Sequence, residues 1–246
     1  MVNRNTDDKK IVILKTGQKL PSLEPVPGDF EDWMIAGMGA AREDVNIVSV
    51  YAGESLPDPA RLLGVLITGS GAMVTDHTDW IERTANWVAD VVARGIPLLG
   101  ICFGHQLLAY ALGGEVDDNP NGIEVGTVSL HTMDKAKEDP LLSGLVDNAP
   151  VHVSHRQSVL ALPADAVLLA KTDLDRHHAF RVGDVAWGVQ FHPEFSTQIV
   201  RRYVEYYKPG LESEHKDASQ LLLNCRDTEA GNRVLMRFFQ VMHGEK

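Results

Sequence analysis

The sequence predicts an α/β fold: a doubly wound, mostly parallel sheet with flanking helices and an antiparallel extension. Three observations predict it. Short continuous apolar runs recur along the first half, as expected of strands buried on both faces. Between them lie segments with apolar residues three and four apart, the mark of a single helix face. After Gly114 the helical pattern drops out and strand-like runs follow one another, which points to the antiparallel part.

Taken in order, residues 1–9 read as a frayed tail and Ile11-Val12-Ile13-Leu14 as the first buried strand. Residues 28–41 carry Phe30, Trp33, Met34, Gly37, Met38 and Ala41 on one helix face, with Asp29 as N-cap. Residues 45–51 and 65–67 read as the next strands, the latter running into Thr68-Gly69-Ser70-Gly71. Residues 80–93 form a helix with Ile81, Ala85, Val88 and Val92 in one stripe, stopped by Gly95. Residues 96–101 are a fourth buried strand, and 104–112 a helix closed by Gly113-Gly114. Residues 124–133, 151–153, 158–160, 167–171, 179–182 and 185–191 then read as strands. The polar stretch 132–147, with Pro140 and Gly144, reads as a surface excursion. Helices return over residues 195–207 and from near Thr228, where Val234, Leu235, Phe238, Phe239 and Met242 recur. Residues 1–246 read as a single domain, with 209–246 a C-terminal helical extension.

Composition narrows the function. The chain has 246 residues, 44% of them hydrophobic, enough for one well-buried core. Its formal net charge of −11 argues against a nucleic-acid partner, which needs clustered Lys and Arg, and against an anionic membrane surface. No apolar run reaches the roughly 20 residues that span a bilayer, and the N-terminus has no apolar signal core. Two cysteines, Cys102 and Cys225, make no disulfide framework, so a reduced, cytoplasmic setting is expected. No Cys/His group has zinc spacing, and no metal or cofactor is expected. His177-His178 reads as part of a solvated turn, and Cys225, after Leu221-Leu222-Leu223, as core.

The sharpest local signal is Gly100-Ile101-Cys102-Phe103-Gly104-His105-Gln106, a cysteine between glycines where a strand meets a helix. That is the layout of a nucleophile elbow. The following helix points its N-terminus at the sulfur, which favours thiolate, and Phe103 offers its N–H to an oxyanion. The alternative is a buried structural cysteine. A base is available in His192, which ends the run Val185-Ala186-Trp187-Gly188-Val189-Gln190-Phe191. Glu194, two residues on, falls on the same face of extended chain, and Pro193 favours that geometry. Such a carboxylate fixes the tautomer of an imidazole. Alone, His-Pro-Glu is equally a solvated turn. Thr68-Gly69-Ser70-Gly71 can present N–H groups to developing negative charge. Without a P-loop lysine or a G-x-G-x-x-G, nucleotide binding has little support.

These three motifs resemble the class I glutamine amidotransferases, which carry a Cys–His–Glu triad on an α/β sheet. The chain looks most like free-standing members similar to the amidotransferase domain of GMP synthetase, and the resemblance runs from about Ile11 to about Tyr203. It implies Cys102 as nucleophile, His192 as base and Glu194 as the orienting carboxylate. It implies Gly71 and Phe103 at the oxyanion, with Gly69 and Ser70 beside them, and Gln106 against the substrate. Ser154-His155-Arg156-Gln157 falls where the family holds the α-amino and α-carboxylate groups, with Arg156 in place of the usual glycine. A bulky residue there narrows the pocket, or binds a carboxylate beyond the glutamine. The backbone of Val125 and Gly126 is expected nearby.

The implied activity is hydrolysis of the γ-amide of glutamine through a γ-glutamyl thioester, releasing ammonia and glutamate, with a synthetase as the implied partner subunit. A stand-alone hydrolase of γ-glutamyl peptides or amides shares the same residues. A catalytically silent binding module is the third reading.

Overall fold

The computed structural model describes residues 9–245; residues 1–8, read above as part of a tail, lie outside the described residues. Along the chain come β1 (Lys10–Lys15), α1 (Phe30–Met38), β2 (Val45–Ser49), β3 (Leu62–Ile67), α2 (Asp79–Ala93), β4 (Leu98–Ile101), α3 (Phe103–Ala111) and β5 (Glu115–Asp118). Then follow β6 (Glu124–Thr132), β7 (Ala149–His155), β8 (Gln157–Ala161), β9 (Ala166–Lys171), β10 (Ala179–Val182), β11 (Ala186–Val189), α4 (Thr197–Ser213), α5 (Ala218–Asn224) and α6 (Ala230–Met242).

Among the described residues, nine strands form one sheet in the order β2-β1-β3-β4-β11-β10-β9-β6-β7, while β5 pairs with β8 apart from it. From β2 to β11 in that order the neighbours run parallel. From β11 to β7 every pairing is antiparallel. The change of direction therefore falls at β11, the strand that leads into His192.

Helices cover both faces. Met34, Ile35 and Met38 of α1 share one core with Val234, Leu235 and Phe238 of α6. The opposite core holds Ile81, Ala85 and Val88 of α2 with Leu107 and Leu108 of α3. Asp29 caps α1 reciprocally with Asp32, and Gly39 ends it in the left-handed conformation at φ 69°. Gly37 lets α6 approach α1, since a Cβ there would stand 2.3 Å from Leu235 Cδ1.

Several elements differ from the sequence reading. The stretch 132–147 is not simply surface. Ala136, Leu141 and Leu142 are buried, and the Asp139 carboxylate accepts from Trp187 Nε1 and Arg181 Nε. Helix α4 runs past Pro209 to Ser213, because Leu211 is buried and its packing offsets the backbone bond that proline cannot make. Strand β5 has a single apolar residue, Val116, and α5 is only seven residues long, so neither stands out by periodicity. Helix α6 is part of the main core. Among the described residues, no helix is long and apolar enough to cross a membrane.

Candidate active site

Cys102 sits between β4 and α3 at φ 53°, ψ −102°, a conformation that L-residues adopt only under constraint. The flanking glycines impose it. A Cβ on Gly100 would lie 2.2 Å from the Gly104 carbonyl oxygen, and one on Gly104 would lie 2.6 Å from the Ile67 carbonyl oxygen. The turn is further fixed by Cys102 N–H donating to Val189 O at 2.9 Å and Gln106 N–H donating to Cys102 O at 3.1 Å. The sulfur itself faces the Ser154 carbonyl at 3.6 Å. Phe103 begins α3, so its N–H has no acceptor within the helix.

His192 and Glu194 meet as their spacing predicts, with Nδ1 and Oε1 2.7 Å apart and both side chains buried. His192 N–H donates to His152 O at 2.8 Å. The imidazole lies flat against Phe195, centroids 3.9 Å apart at 9°, with Phe30 and Tyr203 farther out on the same stack. Gly69 makes room for it, because a Cβ there would stand 2.8 Å from His192 Cε1. Beneath the turn, the start of α6 closes in: a Cβ on Gly231 would lie 2.3 Å from the Pro193 carbonyl oxygen.

Electrostatics favour a protonated His192. Burial disfavours the imidazolium, but the charges of Glu194 and Cys102, with hydrogen bonds to both, outweigh it and push His192 up to about 10. Neighbouring His152 is pulled down to about 4, first by burial and then by the His192 charge. His105, fully buried against Phe180, is held down to about 3 by burial.

One narrow cleft, with about 30 Å³ of free space, brings together Ser70, Gly71, Cys102, Phe103, Gln106 and residues 154–157. Ser154 Oγ and Gln157 Oε1 are buried there without hydrogen-bond partners, so two polar atoms await a ligand. Arg156 is exposed and lines the cleft with Tyr207. Ser70 is a brace as much as a contact, donating from Oγ to Thr16 O and accepting from Ala72 N–H.

Other predicted neighbours are engaged elsewhere. Gln106 spends its amide protons on Gln157 O and Gln190 Oε1, leaving Oε1 as its only uncommitted atom. His155 gives Nε2 to Glu124 at 2.8 Å and Nδ1 to Gln157 O at 3.0 Å, so neither nitrogen is open to the cleft. Val125 lines a separate apolar groove with Leu221, and Gly126 packs near Val204. His178 is not solvated: it is fully buried, near Glu124 and Asp175. His177 is partly buried, its Nδ1 donating to Val159 O. Cys225 is a free, buried thiol whose Sγ donates to Leu221 O.

Gln190, Glu124 and the aromatic stack were not singled out from sequence. Gln190 did leave a signal, being an amide inside an apolar strand. The stack draws on residues 30, 195 and 203, which only the fold brings together.

The chain belongs to the class-I glutamine amidotransferases, whose family model matches residues 29–204. GMP synthase from Aeropyrum pernix is 38% identical over 161 residues, covering 65% of this chain and 29% of the synthase. The chain thus spans under a third of the length of such synthases. A glutamine amidotransferase-like protein of Schizosaccharomyces pombe is 27% identical over 93% of this chain and 96% of its own. Gamma-glutamyl peptidase 3 of Arabidopsis thaliana is 28% identical over 72% of this chain and 74% of its own. In fold the chain is similar to a glutamine amidotransferase from Methylobacillus flagellatus, with TM-score 0.76, 23% identity and 94% of both chains covered.

Proposed function

We propose that the protein hydrolyses the γ-amide of glutamine through a thioester on Cys102, releasing ammonia and glutamate. The observation that carries this reading is a cysteine held at positive φ beside a buried His192–Glu194 pair, opening on a cleft with two unpartnered polar atoms.

In this reading the Cys102 thiolate attacks the γ-carbonyl carbon. The N–H groups of Phe103 and Gly71 hold the oxyanion, each contributing about 100-fold or more in rate. His192, protonated at neutral pH, gives its outer proton to the departing amine, and the thioester remains. The neutral imidazole then draws a proton from water, hydroxide adds to the thioester, and glutamate leaves as the thiolate reforms. Glu194 keeps the ring oriented and balances the imidazolium. Ser154 Oγ and Gln157 Oε1 are suited to the α-carboxylate and α-ammonium groups respectively.

A stand-alone γ-glutamyl peptide or amide hydrolase is the second reading. Two observations favour it: a gamma-glutamyl peptidase is matched along 74% of its own length, and Arg156 sets a cation at the cleft. A synthetase partner belongs to the first reading.

Steady-state turnover of glutamine against a panel of γ-glutamyl peptides, with Cys102→Ala as control, tests both. Ammonia from glutamine alone supports the first reading without a partner. Preference for peptides supports the second. If no γ-glutamyl compound is turned over and a glutamine-mimicking electrophile fails to label Cys102, the chain is a binding module and both readings fall.

A further inference from the structure

Behind the cleft lies a group of ionisable side chains that the proposed reaction does not use. Glu124 opens β6, His155 ends β7, and His178 stands just before β10 with Asp175 three residues ahead of it. All four are buried. Glu124 Oε2 lies 2.8 Å from His155 Nε2 and 3.8 Å from His178 Nδ1, and Asp175 Oδ2 lies 3.6 Å from the same His178 Nδ1. Ligand atoms of Glu124, His155 and His178 all fall within 4.8 Å of one another.

His178 is the telling residue. It is fully buried, yet neither ring nitrogen has a hydrogen-bond partner, while Nδ1 points between two carboxylates. A buried imidazole without partners forfeits hydrogen bonds that water would supply. The neighbouring groups are held from outside in the manner of metal ligands. His155 Nδ1 donates to Gln157 O at 3.0 Å, which turns Nε2 inward. Glu124 Oε1 accepts from Thr172 Oγ1 at 2.7 Å, and Asp175 accepts from Ser158 Oγ at 3.1 Å and from His177 N–H at 3.0 Å.

We propose that Glu124, His155 and His178 form a buried binding site for a first-row divalent cation, with Asp175 beside His178 and Zn²⁺ the best match. Two imidazoles and one carboxylate suit zinc in donor type and leave a fourth position for water, while the Asp175 carboxylate beside His178 adds a second negative charge nearby. Bonds of about 2.0–2.1 Å in a tetrahedron put ligand atoms about 3.3 Å apart. The Glu124–His178 separation of 3.8 Å is close to that value, and the Glu124–His155 pair at 2.8 Å has only to open slightly. Asp175, Ser158 and His177 also line an outer cleft of about 460 Å³, which gives an ion a way in. The role is structural: the ion pins the end of β7, and Ser154, whose carbonyl faces the Cys102 sulfur, immediately precedes His155. The ligands fall at positions 124, 155 and 178, so no short spacing motif announces them.

The test is Zn²⁺ binding to tag-free full-length protein, read by native mass spectrometry and by the shift in melting temperature. About one Zn²⁺ per chain is expected in the wild type and in Cys102→Ser, with a higher melting temperature in both. His178→Phe keeps the stack on Phe191 but has no ligand atom, and it should lose the ion and the shift. Glu124→Gln is the second variant should His178→Phe fail to fold, and it should bind at least tenfold more weakly. No zinc in the wild type overturns the proposal. So does binding that Cys102→Ser abolishes, which would put the ion on the catalytic pair, and so does undiminished binding in both cluster variants.

Discussion

Among the described residues, two buried histidine–glutamate pairs have nearly the same length but different surroundings. His192–Glu194 closes at 2.7 Å and His155–Glu124 at 2.8 Å. Both histidines are raised above their ordinary value against the opposing effect of burial, through their glutamate partners. The difference lies in the far side of each ring. His155 has its second nitrogen tied to a backbone carbonyl, so nothing is left to accept a substrate proton. His192 leaves its second nitrogen on the side of the Cys102 sulfur, which itself helps raise the imidazole, and an aromatic stack holds the ring flat. A carboxylate beside an imidazole therefore does not make a base. In the proposed reaction, a free nitrogen on the side of the Cys102 sulfur does.

The largest expected effect breaks this comparison most directly. His192→Gln should lower kcat by about a million-fold with the fold intact, as loss of a triad base does elsewhere. Glu124→Gln should instead cost about 3 kcal/mol of stability, the scale for breaking a buried ion pair, with a far smaller effect on kcat. Urea midpoints and steady-state rates on the two variants decide the matter, and equal losses of kcat would erase the distinction. Gly69→Ala sharpens it. The added methyl would push on His192 Cε1, and displacement by a fraction of an ångström should cost about 100-fold in kcat with little change in melting temperature. Arg156→Gly is the smallest effect: about a tenfold shift in the ratio of kcat/KM for γ-glutamyl peptides to that for glutamine.

Stability against pH offers a fourth handle, with a definite sign. His192 is raised in the fold, so its contribution is complete below the unfolded histidine value of about 6.5 and fades as pH climbs toward about 10. His152, lowered to about 4, acts oppositely: the unfolded chain binds its proton first, so stability falls as pH drops from about 6.5 toward 4. Denaturation midpoints measured from pH 4 to 10 should peak near neutrality. His192→Gln should flatten the alkaline side, and soften the acid side to a smaller degree because the His192 charge no longer lowers His152.

Much of this was legible in the chain, for local reasons. The buried strands announced themselves as apolar runs because both faces are covered, and Asp29 marks the start of α1 by capping chemistry, though the helix stops at Met38 rather than running on to Ala41. The cysteine elbow and His-Pro-Glu were visible because each is contiguous and needs specific small or rigid residues. What stayed hidden depends on distant pairing. Nothing near His155 shows that its nitrogens are spent on residues 124 and 157, and nothing near His178 shows that β6, β7 and the turn before β10 enclose it. Asp139 looked like surface because its partners Trp187 and Arg181 lie more than forty positions away.

The stretch shared with the family ends at residue 204, but Gly231 wedges against the Pro193 carbonyl some thirty positions later. What is inherited and what must fold together thus have different lengths here. A graft of residues 29–204 into another protein would carry Cys102, His192 and Glu194, yet leave behind the keel under their turn. Anyone borrowing this site as a module should take α6 with it.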